Sequence, residues 1–340
     1  MAEQVENQPS LIPSGAFYHD NGNGGALTFG LWAPNKQNVY LIGDFNHWER
    51  TATAMHPQAD GMWGAELVLP TGNYGYQFVV DAGTEHEVVI ADPYARALRW
   101  VEGQPQPHSL ITVGSALYAW QDQDFQAKPL NELIIYELHV GDFSPEGTFA
   151  GVTQRLDYIR DLGVNAIELM PIQEFPGDRS WGYNPAFFFC PESAYGSADD
   201  LKTLIDQAHQ RGIAVILDMV FNHTAESNPL MSLYPYQENP FFGQDGNPWG
   251  FPDFNHWSDA TKRLTTMVDH LISDAMADAF DITYTAELFV DEFFVGAGEK
   301  LLPAKSIQRD DDHVFGPRFH RTVRSGVDWH DVSSNQHLAG

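Results

Sequence analysis

The chain has 340 residues, 43% of them apolar and 13% aromatic, including 9 Trp, enough for more than one packed core, so two domains are expected. Its 46 acidic and 18 basic residues give a formal charge of −28, which excludes nucleic acid and anionic membranes as favoured partners because the long-range field repels both. No run of 18 apolar residues suggests a membrane span, Cys190 has no second cysteine to pair with, and Met1 to Ser14 lacks the apolar centre of a signal peptide, so a cytoplasmic setting is expected.

Residues 1–25 close on Asp20-Asn21-Gly22-Asn23-Gly24-Gly25 and read as a turn-rich, mobile segment. From 26 to 113, short alternating runs such as Leu27-Thr28-Phe29-Gly30-Leu31-Trp32 and Tyr74-Gly75-Tyr76-Gln77-Phe78-Val79-Val80 are separated by Pro, Gly and Asn turns, a spacing that predicts an immunoglobulin-like β-sandwich. Residues 114–131 carry few structural signals and are expected to link, with Trp120 and Phe125 tacking them to the second domain.

At Leu133 to Val140 the pattern changes to βα. A buried strand is followed by a polar loop and by an amphipathic helix through Val152, Leu156, Ile159 and Leu162, stopped by Gly163. A second strand, Ala166 to Pro171, comes next. The following helix, Ala198 to Arg211, has Asp199 and Asp200 in its first turn and Gly212 at its end. A third strand, Ile213 to Leu217, breaks off into Asp218, Asn222 and His223. Alternating strands and helices predict a parallel sheet, whose ligands sit at the carboxyl ends of the strands, so the chemistry is expected just after Leu217. The competing reading of Asp218 and His223 is a capping Asp and a structural His. A long excursion over 223–258, rich in Pro, Asn, Gly and aromatics, is expected to be functional, and helix periodicity resumes from Thr261 to Ala277.

Asp218-Met219-Val220-Phe221-Asn222-His223 resembles the first signature motif of the α-amylase superfamily, glycoside hydrolase family 13, and most of all its 1,4-α-glucan branching members. Further residues carry the likeness: Tyr136-Glu137-Leu138-His139-Val140-Gly141, Leu162 to Pro171, Trp181-Gly182-Tyr183-Asn184-Pro185 and, in the sandwich, Gly43-Asp44-Phe45-Asn46-His47-Trp48. The resemblance implies that the parallel sheet belongs to an eight-stranded TIM-type barrel, at 132–295. It also implies that Asp218, His223 and Asn222 line a sugar subsite and that Tyr183 is an aromatic platform under the sugar. A packed loop aromatic is the plain alternative for Tyr183. Trp32, Trp48 and Trp63 either stack on glucan or pack the sandwich, and packing is favoured for most of them.

The family's retaining chemistry needs an attacking carboxylate and a carboxylic acid on different strands. Asp281 is the nearest candidate for the nucleophile and Glu287 for the acid, although the run Ala277 to Thr283 lacks the Arg that accompanies the nucleophile in the family. On one unbroken strand at about 3.3 Å per residue, the two α-carbons would stand roughly 20 Å apart. From Asn131 onward roughly 210 residues remain, against about 250 for a full barrel, so an incomplete barrel is expected, with an irregular tail at 296–340. The resemblance implies an α-glucan-active transferase or hydrolase of the branching type, with α-glucan as partner and no cofactor. No metal is expected either, since calcium needs six or more oxygens and no dense ligand loop appears. An inactive glucan-binding relative and a debranching or trehalose-releasing hydrolase are the competing readings.

Overall fold

The computed structural model describes residues 14–20, 25–114, 118–177, 179–243 and 250–265, and the backbone of 283–290 and 293–300. The expected helix beyond Thr265 and the nucleophile candidate Asp281 lie outside these residues.

The first ten strands are β1 (Gly15–Asp20), β2 (Gly25–Trp32), β3 (Val39–Gly43), β4 (Thr53–Ala54), β5 (His56–Pro57), β6 (Met62–Leu69), β7 (Gly72–Val80), β8 (Val88–Ile90), β9 (Leu98–Arg99) and β10 (His108–Val113). They form two antiparallel sheets, ordered β1-β2-β6-β5 and β4-β3-β7-β10-β9 with β8 on β7. Alternation fixes the inner face: Leu27, Phe29 and Leu31 of β2 are fully buried, as are Leu41 and Phe78 opposite. One expectation is corrected here. Residues 15–20 are not part of a mobile segment but a strand, because Gly15 to Asp20 pair with Gly30 back to Gly25 along the edge of β2.

The Gly-Asp-Phe-Asn-x-Trp string is a built turn. Asp44 accepts the Gly75 N–H at 2.7 Å and the Trp48 indole N–H at 3.0 Å, while Asn46 accepts the Gly43 N–H. Gly43 is extended, yet a Cβ there would stand 2.4 Å from the Gly75 carbonyl, so only glycine lets the strands approach. The Trp48 ring lies 3.9 Å from that of His108. Trp63 donates to the Ala33 carbonyl, and Trp32 donates to that of Asp60 and meets Phe241 edge-on at 5.4 Å. All three tryptophans are engaged in packing.

The second body begins at β11 (Ile135–Leu138) and continues through α1 (Val140–Phe143), α2 (Phe149–Thr153), α3 (Leu156–Asp161), β12 (Ala166–Leu169), β13 (Gln173–Glu174), β14 (Phe187–Pro191), α4 (Ala198–His209), β15 (Ala214–Val220), α5 (Pro229–Leu233), β16 (Thr283–Val290) and β17 (Phe293–Lys300). β11, β12, β15 and β16 are parallel neighbours in that order. Their outer side packs Ile167, Leu169 and Val215 on α2, α3 and α4. α4 starts where expected, through a capping box between Ser197 and Asp200. The single helix expected through Val152 to Leu162 is instead two, α2 and α3, because Arg155 leaves the helical region at φ −109, ψ 7.

One further correction concerns the end of the sheet. β17 runs antiparallel to β16 and carries regular structure to Lys300, past the expected start of an irregular tail. Among the described residues the sheet is open, with Ile134 and Ile135 exposed beside the β11 edge.

The connection after β10 is packed rather than free. Phe125 stacks on His209 at 4.1 Å, Asp122 meets the same ring at 2.5 Å, and Phe125, Ala127 and Leu133 lie under Ala166, Ala214 and Ile216. The excursion after β15 likewise has structure. Phe241, Phe242 and Phe254 join one cluster with the sandwich core, and the Tyr234 hydroxyl donates to the Pro34 carbonyl. The sandwich therefore shares a core with the excursion, which braces the loops at the carboxyl end of β15.

Candidate functional site

β15 is buried along its length, and the first residues whose polar groups it must accommodate are those at its carboxyl end. Asp218 is 7% exposed, Asn222 2% and His223 7%. Buried polar groups in folded proteins are almost always paired. Here the Oδ1 of Asp218, the Oδ1 of Asn222 and the Nδ1 of His223 are buried with no protein partner among the described residues.

Tyr183 reaches this lip from the loop between β13 and β14. Its hydroxyl donates to Asp218 Oδ2 at 2.6 Å, and its carbonyl oxygen lies 2.6 Å from His223 Nε2. A carbonyl only accepts, so Nε2 carries the hydrogen. Burial holds the His223 ring below the ordinary range, partly offset by the Tyr183 carbonyl. The neutral ring then has its lone pair at Nδ1, which makes all three orphan atoms acceptors. Phe251 stacks on the other side of this wall, its ring 4.7 Å from that of His223 and tilted by 5°.

The Asp218 carboxyl is raised above its usual range. Burial is the main cause, the Tyr183 hydroxyl lowers it, and the charge of Glu137 raises it further. Glu137 stands on β11 in register with Glu168 of β12 and Ile216 of β15, two residues below the Asp218 level. It also lines an open cavity of about 750 Å³ with Tyr136, His139, Asp142 and Tyr158. Phe251 lines a smaller cavity of about 350 Å³ with Asn184 and Glu226.

The structure thus brings Tyr183, Asp218 and His223 into contact and places Asn222 at the same lip, where its backbone carbonyl accepts the Phe254 N–H. Glu287 sits opposite Val220 in the β15–β16 register, two positions beyond the pair Asp218 and Thr285. Among the described residues no three His, Cys, Asp or Glu side chains converge as a bound metal would require. Two neighbours of the site, Glu137 and Phe251, were not among the candidate site residues: Glu137 lies inside a string that carries the family likeness, and Phe251 inside the aromatic-rich excursion. Chemically, a cluster of buried acceptors beside a donor-bearing aromatic suits a ligand rich in hydroxyl groups.

Comparison with known proteins shows which families the two bodies resemble. Residues 115–262 match the α-amylase catalytic domain and residues 13–95 match carbohydrate-binding module 48, the isoamylase N-terminal domain. The malto-oligosyltrehalose trehalohydrolase of Saccharolobus solfataricus is 33% identical over 75% of this chain and 43% of its own length. A 1,4-α-glucan branching enzyme of Rhodospirillum rubrum is 31% identical over 92% of this chain and 46% of its own. A putative α-amylase structure from Salmonella typhimurium superposes with a TM-score of 0.64 at 31% identity, covering 77% of this chain and 41% of that one. The chain spans less than half the length of these relatives.

Proposed function

The chain belongs to the α-amylase superfamily, glycoside hydrolase family 13, and from that premise we propose that the lip of β15 holds one glucosyl unit of an α-1,4-linked glucan for branching-type glycosyl transfer. The observation that carries this reading is the set of unpaired buried acceptors on Asp218, Asn222 and His223 next to the Tyr183 hydroxyl. Sugar hydroxyls donate to such atoms, and a buried acceptor left without such a bond costs about 1–3 kcal/mol.

In this proposal Asp218 and His223 fix the hydroxyls, and Tyr183 holds Asp218 in place while its ring lies beside the sugar. A carboxylate must attack the anomeric carbon to form a glycosyl-enzyme, and a carboxylic acid must protonate the leaving oxygen. Asp281 and Glu287 are the nearest sequence candidates for these roles, and they serve one bond only if the chain reverses between them, since a single strand would hold them roughly 20 Å apart. A 6-hydroxyl of a second glucan chain then displaces the enzyme. Release of trehalose or cleavage by water uses the same donor site with a different acceptor, and the 33% identity to a trehalohydrolase favours that second reading. The site is expected to work in the cytoplasm.

Incubation with amylose separates these outcomes. Branching shifts the iodine stain without releasing reducing ends, and hydrolysis releases them. Amylose-affinity electrophoresis detects binding alone. The Asp218→Ala variant is expected to lose both turnover and binding; undiminished turnover would remove Asp218 from the site.

A further inference from the structure

The loop that delivers Tyr183 has no regular structure of its own. Trp181 is 68% exposed, and Gly182 adopts φ +87 where a Cβ would fall 2.3 Å from the Pro171 carbonyl. Something outside the loop must hold it. His139 does so from the residue after β11. As the cap residue of α1 it makes no side-chain cap bond, so its ring is committed elsewhere. Its Nδ1 lies 2.9 Å from Asp142 Oδ2, and its Nε2 lies 2.8 Å from the Ser180 carbonyl and 2.8 Å from the Tyr195 hydroxyl.

Asp142 extends the hold by one residue, since its Oδ1 takes the Arg179 guanidinium at 2.6 Å. That hydrogen bond, with His139 next to it, keeps the Asp142 carboxyl below the usual range. Arg179 and Ser180 are therefore both tied to the segment after β11, four and three residues ahead of Tyr183. The imidazole is mostly buried, with its side chain 11% exposed, and it meets the Tyr195 ring edge-on at 5.9 Å. Gly141 leaves it room, for a Cβ there would stand 3.0 Å from the ring.

We propose that His139 is the positioning residue of the Tyr183 loop: through the Ser180 carbonyl and through Asp142 with Arg179, it locks the loop so that the Tyr183 hydroxyl stays on Asp218. It touches no substrate in this arrangement and acts only through Tyr183. That the lock matters for sugar binding rests on the function proposed above; that it orders the loop does not.

Hydrogen exchange of the backbone amides of residues 179–184, read without sugar on the full chain, tests the lock. Acrylamide quenching of Trp181, referenced to a Trp181→Phe variant, gives an independent reading. His139→Leu is expected to speed exchange in this segment at least tenfold while α4 and β15 stay protected. His139→Gln keeps a donor near the position of Nε2 and is expected to stay within threefold of wild type. Arg179→Gln, whose side chain is 81% exposed and whose loss spares the core, is expected to fall between them. Wild-type exchange rates in a folded His139→Leu chain would overturn the proposal; if that chain does not fold, unaltered exchange in Arg179→Gln would do so. Maltoheptaose affinity should weaken in step with the loop. A wild-type chain that binds no maltoheptaose would defeat the glucan reading and leave the exchange result standing.

Discussion

Removing one oxygen atom probes the site with the least disturbance. Tyr183→Phe deletes the hydroxyl that donates to Asp218 Oδ2 at 2.6 Å and leaves a buried carboxyl with neither oxygen partnered among the described residues. A hydrogen bond to a charged group contributes about 1.5–3 kcal/mol and a neutral one about 0.5–1.5. The carboxyl is raised by burial, so its contribution to stability is fully present below the ordinary carboxylate range and is lost as pH rises through the folded value. The Tyr183 hydroxyl offsets part of that loss. Tyr183→Phe should therefore cost more near pH 7 than near pH 4, since the hydrogen bond contributes about 1.5–3 kcal/mol to an ionised Asp218 and less than about 1.5 kcal/mol to a protonated one. Urea unfolding at the two pH values measures this directly. Calorimetric titration with maltoheptaose should show affinity reduced by about 10- to 150-fold if the lost preorganisation falls entirely on binding. Equal destabilisation at both pH values, with unchanged affinity, would refute the reasoning.

Other substitutions test the frame around the site. Gly43→Ala should destabilise by about 1–3 kcal/mol through overpacking, because the added Cβ meets the Gly75 carbonyl; thermal melting checks it. Phe241→Ala, at a fully buried ring in the core shared by the sandwich and the excursion, should cost about 3–5 kcal/mol, with fluorescence and far-UV dichroism still melting together if that core is one unit. Burial lowers His256 from 6.5 to about 4. Its contribution is thus complete above pH 6.5 and lost as pH falls toward about 4, and His256→Gln should flatten the acid limb of the stability profile over that window.

Much of the frame was legible in the chain because local rules and tertiary packing agree there. The apolar run ending at Leu217 became β15, the helix with Asp199 and Asp200 in its first turn became α4, and alternation in Leu27 to Trp32 became β2. Legibility failed where a distant partner decides the outcome. The polar, glycine-rich stretch from Asp20 to Gly25 hid the strand at 15–20, which exists because β2 offers it an edge. The break between α2 and α3 follows from one backbone conformation at Arg155, a residue with ordinary helix propensity. Tyr183, Asp218 and His223 were nameable from their motifs, but their mutual contacts depend on a loop pinned by His139 and Asp142, residues far from it in sequence. Phe251 and Glu137 are visible as site neighbours only once the sheet and the excursion are folded together.

The central claim is that the acceptors at the carboxyl end of β15 bind glucan, and calorimetric titration of maltoheptaose into wild type and Asp218→Ala tests it most directly. Saturable binding by the wild-type chain, reduced at least tenfold in the variant with its melting behaviour intact, is the expected result. Equal affinity in the two proteins would place any sugar elsewhere on the molecule and contradict it.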